Sequence, residues 1–219
     1  RRRTMVVTVD ECEVVVAAPL RTSKREIHAW IVEKQLWIRR KLKEQAIKAE
    51  ERPSRTYTDG EQWPILGQHF SLYLGSGSRA DAALVDGNLL KLTLSSRSRR
   101  PKQAQIRLLL QDWYKEQAHH YLEQRSHEMA EVLGVTIRSV KIRLTKSKWG
   151  HCTPDGVLQY NYLIMQAPKA VADYLVAHEV SHRVHLNHSA AFWRTVAKLC
   201  PDHLIQRAWL REHSHLLTF

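Results

Sequence analysis

The chain is poor in the residues that define several common protein classes. It has three cysteines among 219 residues, Cys12, Cys152 and Cys200, which are too few and too scattered for a disulfide framework or a Cys-x-x-Cys metal knuckle. No apolar run approaches the roughly 20 residues that a membrane-spanning helix needs. The opening residues, Arg1–Arg3, precede a charged β-like segment and not the core of a signal peptide. We therefore expect neither a membrane protein nor a secreted mini-protein, and the cysteine content favours a reducing cytoplasm.

Negative charge is also scarce. The chain has 34 Lys and Arg against 22 Asp and Glu, a net charge of +12. The basic residues form groups at 39–43, at 97–102 and, alternating along a predicted strand, from Arg138 to Lys148. A positive rim would attract nucleic acid or nucleotide phosphates, although each single group is also typical of a solvated surface. With 43% hydrophobic residues, the chain is long and apolar enough for a folded core.

The hydrophobic pattern of the first 95 residues is mostly that of β-structure. Two β-branched runs, Met5–Val9 and Glu13–Ala17, predict a hairpin, and Ser23 with Glu26 predicts a capping box at the start of a helix over about 23–48. Further strands follow, with turns near Gly60 and Gly67. We interpret residues 1–95 as a β-rich N-terminal subdomain with one long helix, and the basic segment 95–102 as a boundary.

Beyond Pro101 the hydrophobic period changes to that of helices. The pattern predicts a long helix to about Leu133 ended by Gly134, and then a strand over 135–145 with a second strand over 157–163 that pairs back on it through a turn at 155–156. Three more helices are predicted over 170–186, 190–199 and from 201 to about 213. The expected fold class is therefore α+β, with a second domain over 103–219.

Histidines are concentrated where the chemistry is expected. Eight of the 13 lie between His151 and His215, and two belong to the motif His178-Glu179-Val180-Ser181-His182 in a predicted helix. Side chains at i and i+4 project from one helix face about 6 Å apart, so both imidazoles can reach one metal ion. Glu179 lies at the rim of that face, where it can take a proton from metal-activated water as a general base.

Two histidines compete for the place of third ligand. On a continuous helix His185 keeps the face of His178, but its Cα lies about 10 Å along the axis, too far for easy shared coordination. His188 can fold back to the metal if the chain breaks near Asn187, a residue that tolerates left-handed geometry. The spacing equals that of the metzincin signature, which has a turn glycine where this chain has His185. We favour His188, and three histidines would leave the fourth tetrahedral position for water.

At this point the sequence resembles a known family. The motif from His178 to His182, then Asn187-His188-Ser189-x-x-Phe192-Trp193 and Pro201-Asp202, is similar to the YgjP-like metal-dependent hydrolases, relatives of the SprT and WLM zincin metallopeptidases. The segment Lys148-Trp149-Gly150-His151-Cys152 resembles the Arg-Trp-Gly-Ser-Cys segment of that family. The resemblance implies a zincin-like metalloprotease domain, one Zn²⁺ per chain on His178, His182 and His188, and Glu179 as general base.

Two positions depart from the family pattern. His151 stands where Ser is usual and Tyr162 where Trp is usual, so substrate contacts could differ here or His151 could approach the metal. Cys152 could bind the metal as a thiolate, but a small residue at a tight turn is the simpler interpretation. The side chains considered for stabilising an oxyanion are Tyr160, Tyr162 and Arg183, and those considered for orienting the ligands are Asp173, Asp202 or a backbone carbonyl.

Three functions follow, in order of preference. The first is a zinc metallopeptidase, which should present an edge strand to its peptide or protein substrate, and 156–163 is the candidate. The second is a metal-dependent nucleoside triphosphate (UTP-type) pyrophosphatase, which should aim several Lys or Arg at the metal. The third is a nucleic-acid-associated binding module with a structural metal, in which a fourth protein ligand closes the site. The sequence leaves open the natural substrate, the role of residues 1–95 and the oligomeric state.

Overall fold

The computed structural model describes residues 3–10, 13–85, 87–145 and 147–219. The expectations for Arg1 and Arg2, the hairpin turn with Cys12, and the basic residue Lys146 lie outside these ranges. The contact pattern divides the chain into two compact units, Arg1–Pro53 and Ser54–Phe219, which are described separately. Within the described ranges, no helix is both long and apolar enough to cross a bilayer. The domain boundary predicted between residues 95 and 103 stays a prediction.

The first unit is a hairpin followed by two helices. Strands β1 (Val6–Asp10) and β2 (Glu13–Ala17) pair antiparallel, as predicted. The capping box at Ser23 is also present, because Ser23 Oγ accepts from the N–H of Glu26 at 3.2 Å and the Glu26 carboxylate accepts from the N–H of Ser23 at 2.8 Å. The helices are α1 (Lys24–Glu33) and α2 (Gln35–Glu51).

The single helix predicted over about 23–48 is interrupted at Lys34. This residue has φ −89° and ψ 2°, and its N–H is shared between the carbonyls of Trp30 and Ile31, each at 3.1 Å. The shared bond tightens the chain and offsets the two helices. Lysine is a good helix former, so its identity gives no signal of the break.

A four-stranded sheet opens the second unit. Its strands are β3 (Gln62–Ile65), β4 (Gln68–Gly77), β5 (Asp81–Val85) and β6 (Leu89–Ser95), in the order β3-β4-β6-β5. β4 and β6 are parallel, and the other pairs are antiparallel. The predicted turn near Gly67 is confirmed, with φ +48° at Leu66 and +83° at Gly67, the left-handed pair that a two-residue hairpin turn requires.

Helix α3 (Lys102–Leu133) joins this sheet to the rest of the core. It ends at Gly134, where φ is +66°, as predicted. Its buried Tyr114 donates a hydrogen bond to the carbonyl of Pro64 and makes edge-on ring contact with Trp113 and Phe219. One hydrophobic core therefore runs through the second unit.

A second, three-stranded sheet contains β7 (Ser139–Arg143), β8 (Gly150–Cys152) and β9 (Val157–Asn161), in the order β7-β9-β8. The predicted pairing of 157–163 with the 135–145 strand is present, but its direction is wrong, because β9 runs parallel to β7 and antiparallel to β8. The turn at Asp155–Gly156 joins β8 to β9. The short strand β8 lies between β7 and β9 in the sequence and runs in the opposite direction to both. β9 ends at Asn161, whose side chain accepts from the N–H of Leu163 and starts a 3₁₀ turn over 162–166.

Three helices complete the unit: α4 (Lys169–Ser181), α5 (Ala190–Leu199) and α6 (His203–His213). α4 packs against α3, α5 and α6 and against β8. The predicted α+β class is confirmed, and α4, which carries the histidine motif, lies beside the small second sheet.

Candidate metal centre

His178 lies in the last turn of α4, and His182 caps the helix. Their ring centroids are 5.0 Å apart. The helix was predicted to run to Leu186, and this end is wrong. The N–H groups of His182, Arg183 and Val184 each bond to the carbonyl three residues earlier, at 2.9 to 3.2 Å. This 3₁₀-like tightening ends the helix a turn earlier than the hydrophobic pattern indicates.

The turn after α4 is held by Arg183. Its Nε donates to the carbonyl of Thr136 at 3.1 Å and its Nη1 to the carbonyl of Pro154 at 2.8 Å. The guanidinium lies over Gly156, where a Cβ would come within 3.1 Å of Cζ, and φ of +87° also requires glycine there. One side chain thus ties the turn to the α3–β7 connection and to the β8–β9 turn.

The tightened turn brings His188, and not His185, to the histidine pair. His188 Nε2 lies 3.1 Å from His178 Nε2, and ligand nitrogens of His178, His182 and His188 all lie within 4.8 Å of one another. The backbone carbonyl of His185 accepts a hydrogen bond from His182 Nδ1 at 3.0 Å. Downstream, Ser189 caps α5 by accepting from the N–H of Phe192 at 3.4 Å.

The donor set fits a divalent metal. The bond from His182 Nδ1 to the carbonyl of His185 leaves Nε2 unprotonated and available as a ligand atom. Burial, together with the neighbouring imidazoles, lowers the pKa of His178 to about 3 and also lowers the pKa of His182. Both rings are therefore neutral near pH 7, the form that coordinates metals, and imidazole nitrogens suit zinc.

Asp173 was one candidate for orienting the histidine rings, and the structure gives it other partners. Asp173 accepts from Tyr121 Oη at 2.6 Å and from Arg125 Nε at 2.9 Å, so this carboxylate ties α4 to α3 instead of orienting an imidazole. A backbone carbonyl has that task for His182. The Nδ1 atom of His178 is buried without a hydrogen-bond partner among the described residues.

Glu179 is a buried carboxylate beside the three histidines. Its residue exposure is 4%, and burial raises its pKa to about 8 in spite of the opposing charge of Lys148. Its side chain lies directly on the backbone of Gly150, where a Cβ would come within 2.6 Å of Glu179 Cγ and would also collide with Oε1. Gly150 is the functional residue that our sequence reasoning missed, although a glycine in a strand is a general signal of close approach.

The three histidines and Glu179 open into a cleft of about 300 Å³. The other residues that line it are Lys148, Gly150, His151, Cys152 and Leu186. His151 thus lies in the cleft but outside the group of clustered ligand nitrogens. Cys152 and Cys200 are free thiols.

The side chains considered for an oxyanion do not line this cleft. Tyr160 is fully buried and shares a 2.9 Å hydrogen bond with Ser126, Tyr162 is buried, and Arg183 is bound to two carbonyls. The aromatic pair after His188 packs on the histidine rings. Phe192 is buried with its ring centroid 4.5 Å from that of His182, and the Trp193 ring stacks on His188 with the centroids 5.9 Å apart.

Of the predicted basic strand, only Lys148 lines the cleft among the residues that the structure describes. Arg138 forms an ion pair with Asp155 at 2.8 Å. The expectation that 156–163 is an edge strand is wrong, because β9 lies in the centre of its sheet. β8, which borders the cleft, lies at an edge instead.

An α+β unit in which the end of one helix carries two imidazoles and a buried glutamate, and the following turn brings a third imidazole to them, has the character of a zincin-like metallohydrolase. The chain matches the family model of the YgjP-like metallopeptidase domain over residues 3–213 and belongs to that family. Membership implies a divalent metal and a peptide substrate at the level of the family.

The other comparisons add less. No curated protein matches the chain significantly. Among solved structures, the chain is similar to the crystal structure of the metallopeptidase zymogen of Pyrococcus abyssi abylysin, with 22% identity over 43% of this chain and 94% of that chain. The TM-score of 0.38 is too low to support an argument about fold or function.

Proposed function

We propose that the chain is a zinc-dependent peptidase in which His178, His182 and His188 hold one Zn²⁺ per chain and Glu179 is the general base. The observation that supports this proposal is the convergence of three imidazole nitrogens within 4.8 Å, in the same cleft as a buried carboxylate. The cytoplasmic location favoured by the cysteine content stays a prediction.

The roles of the residues follow from their chemistry. A bound zinc ion supplies a Lewis acid that polarises the peptide carbonyl and makes water nucleophilic near neutral pH. The three imidazoles of His178, His182 and His188 would hold the ion and would leave a place for water beside Glu179. Glu179 accepts a proton from the attacking water and passes it to the leaving amine. Burial, which raises the pKa of Glu179, suits a carboxylate that must hold a proton between the two steps.

We place the substrate along β8. This strand pairs with β9 on one side only, and all three of its residues line the cleft beside Glu179. An extended peptide can add to such an edge through main-chain hydrogen bonds, which are independent of its sequence. This arrangement replaces the edge predicted at 156–163.

The two alternatives have less support. A nucleoside triphosphate pyrophosphatase should surround its substrate with several cations, and Lys148 is the single Lys or Arg that lines the cleft among the described residues. A structural metal in a nucleic-acid-binding module should have four protein ligands, and the group found among the described residues has three. Both alternatives are outcomes of the experiment below.

The test compares zinc-loaded wild type with Glu179→Gln and with Glu123→Gln, a partly exposed glutamate of α3 outside the cleft lining. Each is mixed with a peptide library and the four nucleoside triphosphates, and products are read by mass spectrometry beside the zinc content of each protein. We expect new peptide termini that decrease about 10²- to 10⁴-fold in Glu179→Gln and persist in Glu123→Gln, with equal zinc content. Loss of a triphosphate with intact peptides would support the pyrophosphatase, and equal products from all three proteins would overturn the role of Glu179.

A further inference from the structure

Two exposed cations lie near the three histidines, one in the segment before β8 and one on α6. Lys148 precedes β8 and lines the cleft, and its charge lowers the pKa of Glu179 against the larger effect of burial. Arg207 lies on α6, with its guanidinium carbon 4.7 Å from the centroid of the Trp193 ring. That ring is 5.7 Å from the ring of His178, and the charge of Arg207 contributes to the lowered pKa of His178.

Neither cation has a carboxylate partner within the described part of the chain. Four other cations of this unit do, Lys115 with Asp112, Arg125 with Asp173, Arg138 with Asp155, and Arg211 with Glu212, whereas Lys141 and Arg194 form no ion pair in the described chain either. In the cleft, Glu179 is the single acidic residue among the described lining residues, and it is buried. The described lining of the cleft is therefore positive at Lys148 and offers no exposed carboxylate, and Arg207 adds a second positive charge where it stacks on the Trp193 ring beside His178.

We propose that the cleft selects peptides with Asp or Glu close to the scissile bond on either side, and that Lys148 and Arg207 contact these side chains from the β8 side and the α6 side. This inference rests on the proposed peptidase function. An acidic side chain of the substrate can pair with Lys148 or Arg207 without displacing another carboxylate, whereas a basic side chain of the substrate is repelled by both cations. Each exposed pair contributes up to about fivefold in affinity, the upper end for ion pairs in water.

The first experiment measures binding without turnover. The probe is a fluorescein-labelled, alanine-rich hexapeptide with Glu on both sides of the central dipeptide, and its counterpart has Gln at the same positions. Binding to zinc-loaded Glu179→Gln protein is followed by fluorescence anisotropy at low salt. We expect the Glu peptide to bind about five- to 25-fold more tightly than the Gln peptide, with a difference that shrinks as salt rises.

Charge reversal then locates the contacts. In the Glu179→Gln background, Lys148→Glu and Arg207→Glu should each remove about fivefold of the preference for the Glu peptide. Lys141→Glu on β7 and Arg194→Glu on α5 change the net charge equally at exposed positions outside the cleft lining, and they should keep the preference. If the preference for the Glu peptide decreases equally in all four variants, it depends on net charge alone, and the proposed contacts of Lys148 and Arg207 are wrong.

Cleavage by the wild type separates this inference from the proposed function. If the wild type cleaves the Gln peptide as efficiently as the Glu peptide, and binding is also equal, the selection of acidic substrates is wrong and the peptidase stands. If no peptide is cleaved but the Glu peptide binds selectively through Lys148 and Arg207, the acidic-peptide site stands and the peptidase function is wrong.

Discussion

At the scale of single residues, Gly150 and Glu179 form one unit. The carboxylate side chain occupies the space in which any other residue at 150 would place its Cβ. We predict that Gly150→Ala lowers peptide cleavage about 100-fold by displacing Glu179, while zinc content is unchanged. Cleavage of a fluorogenic peptide, with zinc content measured by atomic absorption, tests this prediction.

Two further variants make the prediction specific. Gly75→Ala is the matched control, because a Cβ there meets nothing closer than Lys91 Cε at 3.8 Å, and it should keep full activity. Glu179→Ala removes every atom that the new Cβ would meet, so adding Gly150→Ala to it should lower the free energy of unfolding much less than Gly150→Ala lowers that of the wild type. An equal effect of Gly150→Ala in both backgrounds would show that the side chains at positions 150 and 179 do not collide.

The burial of Glu179 also predicts a pH dependence for the metal-free protein. Its folded-state pKa of about 8 is above the ordinary value of 4.5, so the folded chain binds more protons than the unfolded chain between these values. The free energy of unfolding should therefore fall as pH rises from about 4.5 to 8. Urea unfolding of metal-free wild type and Glu179→Gln across this range isolates the effect, because the variant lacks the group. A difference between them that does not change with pH would contradict the prediction.

The sequence revealed these residues unequally. The placing of His178 and His182 on one face, with Glu179 at its rim, follows from helix periodicity alone, so it could be predicted. The approach of Gly150 to Glu179 joins residues 29 positions apart on a strand and a helix, and no local pattern encodes it. His188 lies between these cases, because its spacing allowed the correct interpretation but the break in the helix came from bonds that Arg183 makes with distant carbonyls.

At the scale of elements, the turn between α4 and α5 determines whether a third imidazole is present. Arg183 fixes this turn, so we predict that Arg183→Ala lowers zinc affinity about 10- to 100-fold while the chain stays folded. Arg138→Ala is the matched control, because it removes an exposed ion pair with Asp155 that has little value in water. Competition with a chromophoric chelator measures both affinities. Wild-type affinity in Arg183→Ala would show that His188 is held by other contacts.

The strands illustrate why element order is harder to predict than element position. Turns at Gly67 and Gly134 were found because each requires a left-handed backbone. The parallel pairing of β7 with β9 was missed, because the three-residue β8 is too short to produce a period of two in the sequence. The chain reverses between β8 and β9 at residues 155–156. Strand β8 therefore runs opposite to β9, and β9 runs in the direction of β7.

At the scale of the whole molecule, the second compact unit contains every residue of the candidate metal centre. We predict that a fragment of residues 54–219 folds and binds one zinc ion with the affinity of the full chain. A fragment of residues 103–219 lacks Trp63 and Phe70, whose rings contact Tyr114 in the core, so it should unfold at a much lower temperature. Thermal unfolding and zinc titration of both fragments also test the domain boundary predicted between residues 95 and 103. Equal stability of the two fragments would favour that boundary.

The short α4 helix has a consequence for when the enzyme becomes active. His178 and His182 meet through the local geometry of one helix end, whereas the turn that leads to His188 is tied by Arg183 to the carbonyls of Thr136 and Pro154, which are distant in sequence. A newly made chain would therefore hold zinc weakly until its backbone is in place. If the proposed peptidase function holds, we expect peptide cleavage to begin only after the chain has folded, so that incompletely folded copies of the same chain are not cleaved by it.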